Sequence, residues 1–132
     1  MQDPSYGSNG SGRPGFDWNA LPELVRKLAR HIARACDLAR EDLLALDEQL
    51  LRLAATSGTA TMIDVEVPAD APRLTLADGP LPIRAFVIDS AGDAVGEVLV
   101  WMRGGVLRGI EQAWWTDRPP STWPSLDMIE LK

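Results

Sequence analysis

The stretch from Gly96 to Trp115, GEVLVWMRGGVLRGIEQAWW, constrains this chain more than any other. Two apolar runs rich in branched and aromatic residues flank Gly104-Gly105. Two-residue hairpin turns need positive φ, which glycine adopts without steric cost, so the pattern predicts a β-hairpin. With the turn there, Arg103 opposes Val106, Met102 opposes Leu107, Trp101 opposes Arg108, Leu99 opposes Ile110 and Glu97 opposes Gln112. Directly opposed residues share a sheet face. One face then carries Gly96, Val98, Val100, Met102, Leu107, Gly109, Glu111, Ala113 and Trp115, and its small residues leave room for a helix. The other carries Val95, Glu97, Leu99, Trp101, Arg108, Ile110, Gln112 and Trp114, joined by Phe86 and Ile88 from the preceding strand. A shift of one residue would exchange the neighbours on both faces.

Upstream, from Asn19 to about Ala55, apolar residues recur every three or four positions, from Leu21 and Leu24 through Leu28, Ile32, Ala39 and Leu43 to Leu50 and Leu53. That period predicts a helix with one apolar stripe. Asn19 is placed to cap it, Pro22 falls in the first turn, and Gly58 follows its end. As one rod, about 36 residues at 1.5 Å each would span ~54 Å. A domain of this size is roughly 30 Å wide. The helix therefore bends or breaks near Cys36-Asp37, overhangs, or pairs with a second copy. Arg26, Lys27, Arg30 and Arg34 load its first half, while Asp37, Glu41, Asp42, Asp47 and Glu48 load its second. In a single helix that order opposes the macrodipole. Two helices, with Asp37 capping the second, resolve the conflict; antiparallel pairing of two copies also does.

Beyond the helix, Thr59 to Val67 alternates as a half-exposed strand, Arg73 to Leu76 reads as a short edge strand, and Ile83 to Asp89 as a strong one. Ser90 to Asp93 turns into the hairpin. After Trp115 the prolines at 119, 120 and 124 favour an extended tail, followed by a short apolar stretch from Leu126 to Leu131. The organisation expected is a Gly-, Ser-, Asn- and Pro-rich flexible arm at 1–16 and a single domain at 17–132. Within the domain, 19–57 is helical, 59–115 is sheet and 116–132 is tail. The fold class is α+β: a long or bent N-terminal helix packed on an antiparallel β-meander of four to five strands.

A chain of 132 residues, 45% of them apolar, can bury a real core. Its net charge of −6 argues against nucleic acid or an anionic membrane, both of which attract basic patches. No apolar run approaches the ~18 residues of a membrane span, and the N-terminus lacks a signal-peptide core, so the expected address is the cytoplasm. The lone Cys36 excludes an intrachain disulfide and reads as a buried thiol. His31, the single histidine, sits one residue off the apolar stripe and reads as solvated. One His and one Cys leave nucleophile–base pairs and zinc sets without partners, so no catalytic residue, metal or cofactor is expected.

Two carboxylates merit separate readings. In the register above, Glu111 lies on the helix-facing side, as a marginal carboxylate, a partner of a helix arginine, or a buried acid with raised pKa. Glu97 pairs with Gln112 or joins Trp101 and Arg108, and Trp101 opposite Arg108 has the chemistry of a cation–π contact. The expected function is a non-enzymatic protein–protein interaction module, of adaptor or immunity type. Its binding surface is Phe86, Glu97, Leu99, Trp101, Arg108, Ile110 and Trp114, facing a protein partner or a second copy. The alternative is a small-ligand-binding protein or weak acid/base enzyme, with Glu97, Trp101, Arg108 and Glu111 around a pocket between sheet and C-terminal tail. The segment GEVLVWMRGGVLRGIEQAWWTDRPPSTWPSLD also resembles the C-terminal half of a group of small bacterial proteins to which no activity is assigned. There a Trp-ended strand, a turn and a strand with Leu/Ile-Glu precede D-x-P-P and Trp/Leu-Pro-x-x-Asp. The resemblance spans about a quarter of the chain and implies no particular chemistry.

Overall fold

The computed structural model describes residues 18–132, so the arm expected at 1–16 lies outside them. A single 3₁₀ turn, Trp18–Ala20, leads into α1 (Leu21–Ala35) and α2 (Arg40–Arg52). The strands are β1 (Ala54–Gly58), β2 (Met62–Glu66), β3 (Gly79–Pro80), β4 (Ala85–Ile88), β5 (Ala94–Arg103), β6 (Val106–Trp114) and β7 (Ile129–Leu131). They form one antiparallel sheet in the order β1-β2-β6-β5-β4-β7, with β3 paired to β5 beyond the end of β4. The fold is α+β with helices first, as expected, but the sheet has seven strands rather than four or five.

The helical segment breaks where its charge changes sign. Cys36 leaves helical conformation (φ −77°, ψ 148°), and its backbone N–H closes the last turn of α1 on Ala33 O at 3.1 Å. The second helix opens after Ala39, not at Asp37, and no side chain caps it. Glu41 and Asp42 occupy its first turn, where acid suits the helix dipole. The two helices then run antiparallel. Arg26 Nε donates to Leu50 O at 2.7 Å, and Arg30 lies 3.6 Å from Asp47. The basic half of the segment thus meets its acidic half within one chain.

Three strands were hidden. The helix ends at Arg52 because Leu53 is extended (φ −70°, ψ 154°), and Ala54 and Ala55 pair with Glu66 and Val65. The segment expected to finish the helix is therefore the sheet's edge. Arg73 to Leu76 is not a strand: Leu74 N–H goes to Gly105 O (2.9 Å) and Thr75 N–H to the buried Asp42 carboxylate (2.9 Å). Gly79–Pro80 pairs with β5 instead. In the tail, Ile129–Leu131 joins β4, and Lys132 and Arg84 exchange both backbone hydrogen bonds.

One core lies between the helices and a single sheet face. Val25, Leu28 and Ile32 of α1 and Leu46 and Leu50 of α2 meet Ile63 of β2, Val98 and Val100 of β5, and Leu107 and Ile110 of β6, all at most 2% exposed. Each such burial is worth about 1.5–3 kcal/mol.

The hairpin turns at Gly104-Gly105 with φ of +61° and +76°, and its first two pairs are Arg103–Val106 and Met102–Leu107. There the simple register stops. Trp101 opposes Gly109, not Arg108; a β-bulge inserts Arg108, and every pair beyond shifts by one. Ile110 now faces Val100, Glu111 faces Leu99, Gln112 faces Val98 and Trp114 faces Gly96. The cause is spacing. Leu107 and Ile110 are three residues apart, and a strand of period two cannot turn both to the core. The extra residue restores the phase, and both side chains are fully buried. Gly109 is held to its size, since a Cβ there would lie 2.4 Å from Ile63 O of β2. A second irregularity sits between Val87 and Ile88: Phe86 opposes Glu97 and Val87 opposes Gly96, but Ile88 opposes Ala94.

The buried Gln49 locks α2 onto the hairpin tip. Its Nε2 donates to Pro72 O (2.8 Å) and Gly105 O (2.9 Å), and its Oε1 accepts from Leu107 N–H (2.9 Å).

Candidate interaction face and tail cleft

The helices, the loop tied to Asp42 and the tail tied to Gln112 are all bonded to one side of the sheet. The other side presents Met62 and Asp64 of β2, Glu111 and Ala113 of β6, Glu97, Leu99 and Trp101 of β5, and Phe86 of β4, each half-buried among its neighbours. Ile88, beyond the irregularity in β4, lines a cleft at the C-terminal tail instead. Trp115 follows at the end of β6 and is 55% exposed.

The bulge decides who stands on this face. Phe86, Glu97, Leu99, Trp101 and Arg108 are there, as the sequence led one to expect. Ile110 is instead fully buried in the core, and Trp114 packs against the core from the helix side. Glu111 and Trp115 take their places. The odd Leu107–Ile110 spacing was the sequence signal for this exchange.

Glu111 is therefore not helix-facing and meets no helix arginine. It accepts the Trp101 indole N–H at 2.9 Å across the strands. Glu97 is gripped by Arg84 rather than Gln112, with Nε–Oε1 3.0 Å and Nη2–Oε2 3.3 Å. The Arg84 guanidinium lies 4.8 Å from the centre of the Phe86 ring, so the cation–π contact is made here and not by Arg108 on Trp101. Trp115 meets Phe86 edge-on, with centroids 6.3 Å apart and planes at 74°, and donates its N–H to Ala94 O at 3.2 Å. Bulges re-aim side chains; this one exposes Arg108, which with Trp101, Arg103 and Asp78 lines a shallow depression of about 480 Å³.

A second concavity lies where the tail crosses the helix-bearing side. Gln112, 2% exposed, donates from Nε2 to Ala60 O (2.9 Å) and Thr122 O (3.0 Å) and accepts the Trp114 indole N–H on Oε1 (2.9 Å). Trp123 donates its N–H to Thr59 O at 2.8 Å. These bonds hold the tail off the sheet and leave a cleft of about 410 Å³. A pocket between sheet and tail was expected around Glu97, Trp101, Arg108 and Glu111. The cleft is lined instead by Val87, Val95, Gln112, Trp114, Trp123 and Met128.

Burial pushes the Cys36 thiol above its ordinary pKa, and its Sγ–H points at Ile32 O. Arg52, 2.7 Å from Asp70, holds that carboxyl below the usual range. Among the described residues no three His, Cys, Asp or Glu side chains are grouped to hold a metal ion, and no helix is long and apolar enough to cross a membrane. Comparison with protein-family models, with curated proteins and with solved structures finds no match to this chain.

Proposed function

We propose that this protein is a non-enzymatic interaction module, of adaptor or immunity type, that receives a protein partner on the open face of its sheet. The carrying observation is the set of part-exposed aromatic and aliphatic side chains Phe86, Leu99, Trp101 and Trp115 on the side away from both helices, with Phe86 and Trp115 in ring contact. Aromatic residues with neighbouring arginines are the usual anchors of protein interfaces. These anchors are already fixed, Trp101 by Glu111 and Phe86 by Arg84 and Trp115, which lowers the ordering cost of docking. Charge around them is mixed, with Arg103 and Arg108 beside Asp64 and Glu111, which suits a protein surface better than a polyanion. The engagement of Glu97 by Arg84 and of Glu111 by Trp101 supports a positioning role for both carboxylates rather than acid–base work. A cytoplasmic address goes with this reading.

The test is site-specific photo-cross-linking in cells. A cross-linker at Ala113 or Leu99 should capture a discrete protein, whereas one at the exposed Lys27 of α1 should not. Trp101→Ala with Trp115→Ala should reduce the yield tenfold or more, as loss of over ~1.4 kcal/mol requires. Capture equally from Lys27, or none from the sheet positions, refutes the proposal. Capture of a second copy alone would assign the face to self-association instead.

A further inference from the structure

We infer that the cleft between the C-terminal tail and the sheet is a small-molecule site whose ligand is an uncharged, flat aromatic compound. It lies on the opposite side of the sheet from the open face, and neither reading depends on the other. Its volume, about 410 Å³, falls at the lower end of small-molecule pockets. Two tryptophans stand in its lining, one from the sheet and one from the tail, and Val87, Ile88, Val95, Pro124 and Met128 make up the rest of its apolar surface. Both indole N–H groups are spent inside the protein, on Gln112 Oε1 and Thr59 O. Both donor hydrogens and the acceptor of the Gln112 amide are likewise engaged. The indoles are left to offer ring surface, which favours stacking against another ring. Ser121 and Thr122 also line the cleft and carry hydroxyls, enough for one polar substituent, while the Ser125 hydroxyl is spent on Asp127 Oδ1. Among the described residues no Lys, Arg or His lines the cleft and the one ionisable side chain in its lining is Asp89, so an anion would be desolvated against a carboxylate with no counter-charge from them.

The tail is tied down on both sides of this cleft. Gln112 and Thr59 hold Thr122 and Trp123, and β7 pairs Ile129–Leu131 with β4. The cleft therefore stays open without a ligand to prop it, the pre-formed condition typical of ligand sites.

The test uses the full chain, ¹⁵N-labelled, titrated with 2-naphthol and separately with 2-naphthoate. Each tryptophan gives its own indole N–H signal. The expected result is a saturable shift of the Trp114 and Trp123 signals by 2-naphthol, half-complete below ~1 mM. The Trp101 and Trp115 signals should stay in place, and 2-naphthoate should bind at least tenfold more weakly. Ser121→Trp, which fills the cleft from its exposed rim, should weaken 2-naphthol at least tenfold. Trp123→Ala should do the same by removing a wall, with the dispersion of the remaining indole signals reporting that the fold is kept. No saturable shift, an equal shift at Trp101 and Trp115, or equal binding of the naphthoate would overturn the inference.

Discussion

Replacing Gln49 with leucine gives the sharpest test of how the helices are held to the sheet. The two side chains are close in volume, so packing changes little, but three hydrogen bonds vanish. Gly105 O keeps a partner, because it also accepts from Leu74 N–H at 2.9 Å. Leu107 N–H and Pro72 O lose the bonds that Gln49 supplies. A buried polar group left unpaired costs about 1–3 kcal/mol, so the pair costs roughly 2–6 kcal/mol. The added apolar surface of leucine offsets on the order of 1 kcal/mol. The expected loss is thus about 3 kcal/mol. In urea unfolding followed by tryptophan fluorescence, the midpoint should fall by roughly 1–3 M with the slope unchanged, for a slope of about 1–3 kcal/mol/M. Gln49→Glu adds a pH signature. The atom replacing Nε2 would face two carbonyl oxygens, 2.8 and 2.9 Å from the present nitrogen, so the site favours the neutral acid. The folded pKa is then raised above the unfolded value of about 4.3. Its stabilising contribution is full below that value and is lost as pH rises through the folded pKa. The glutamate variant should therefore approach wild type at pH 4 and fall away at pH 8. A leucine variant within ~0.5 kcal/mol of wild type, the range of an ordinary surface change, would refute the reasoning.

Gly109→Ala would place a Cβ 2.4 Å from Ile63 O, force β2 away from β6, and cost about 1–3 kcal/mol in thermal unfolding. Deleting Arg108 should leave the ladder intact, with Trp101 still opposite the residue that is now Gly109. The Trp101 indole signal should keep its Glu111 hydrogen bond, and stability should change by no more than ~1 kcal/mol. Arg52→Ala should return the titration of Asp70, followed by NMR, to the ordinary carboxylate range. Because the lowered pKa stabilises above the unfolded value and is lost as pH falls through the folded one, the two proteins' unfolding curves should differ slightly at pH 7 and converge in acid.

The α+β class and the glycine turn could be read from the sequence because each rests on a local rule, whereas the break after Cys36 was one of several ways, beside overhang or pairing of copies, to fit an overlong stripe. Glycine takes positive φ at little cost, but the length of an apolar stripe alone does not choose between a break, an overhang and a second copy. Ala54 to Gly58 escaped because its five residues carry no alternation and gain their strand state only by lying along β2. Ile129–Leu131 escaped for the same reason, since three residues show no period until β4 supplies partners. The open face was half legible. Phe86, Glu97, Leu99 and Trp101 precede the bulge in the path of the chain and kept their side, whereas Ile110, Glu111, Trp114 and Trp115 follow it and changed theirs. Alternation from the turn outward carries no notice of an inserted residue; the distance between two apolar residues that must both be buried does. The roles of Gln49 and Gln112 were not legible, because a buried amide is recognisable only by the backbone groups that other segments bring to it.

The clamp at the hairpin tip also reverses the usual order of local opening. Hairpin tips ordinarily fray first and exchange their amide hydrogens fastest. Here the Leu107 amide is bonded to the fully buried Gln49, and Leu107 itself has no exposed surface. Freeing that hydrogen means lifting α2, and with it Leu46 and Leu50, from the core. The Leu107 amide should thus exchange on the timescale of global unfolding, and its rate is a direct gauge of the stability of the whole domain.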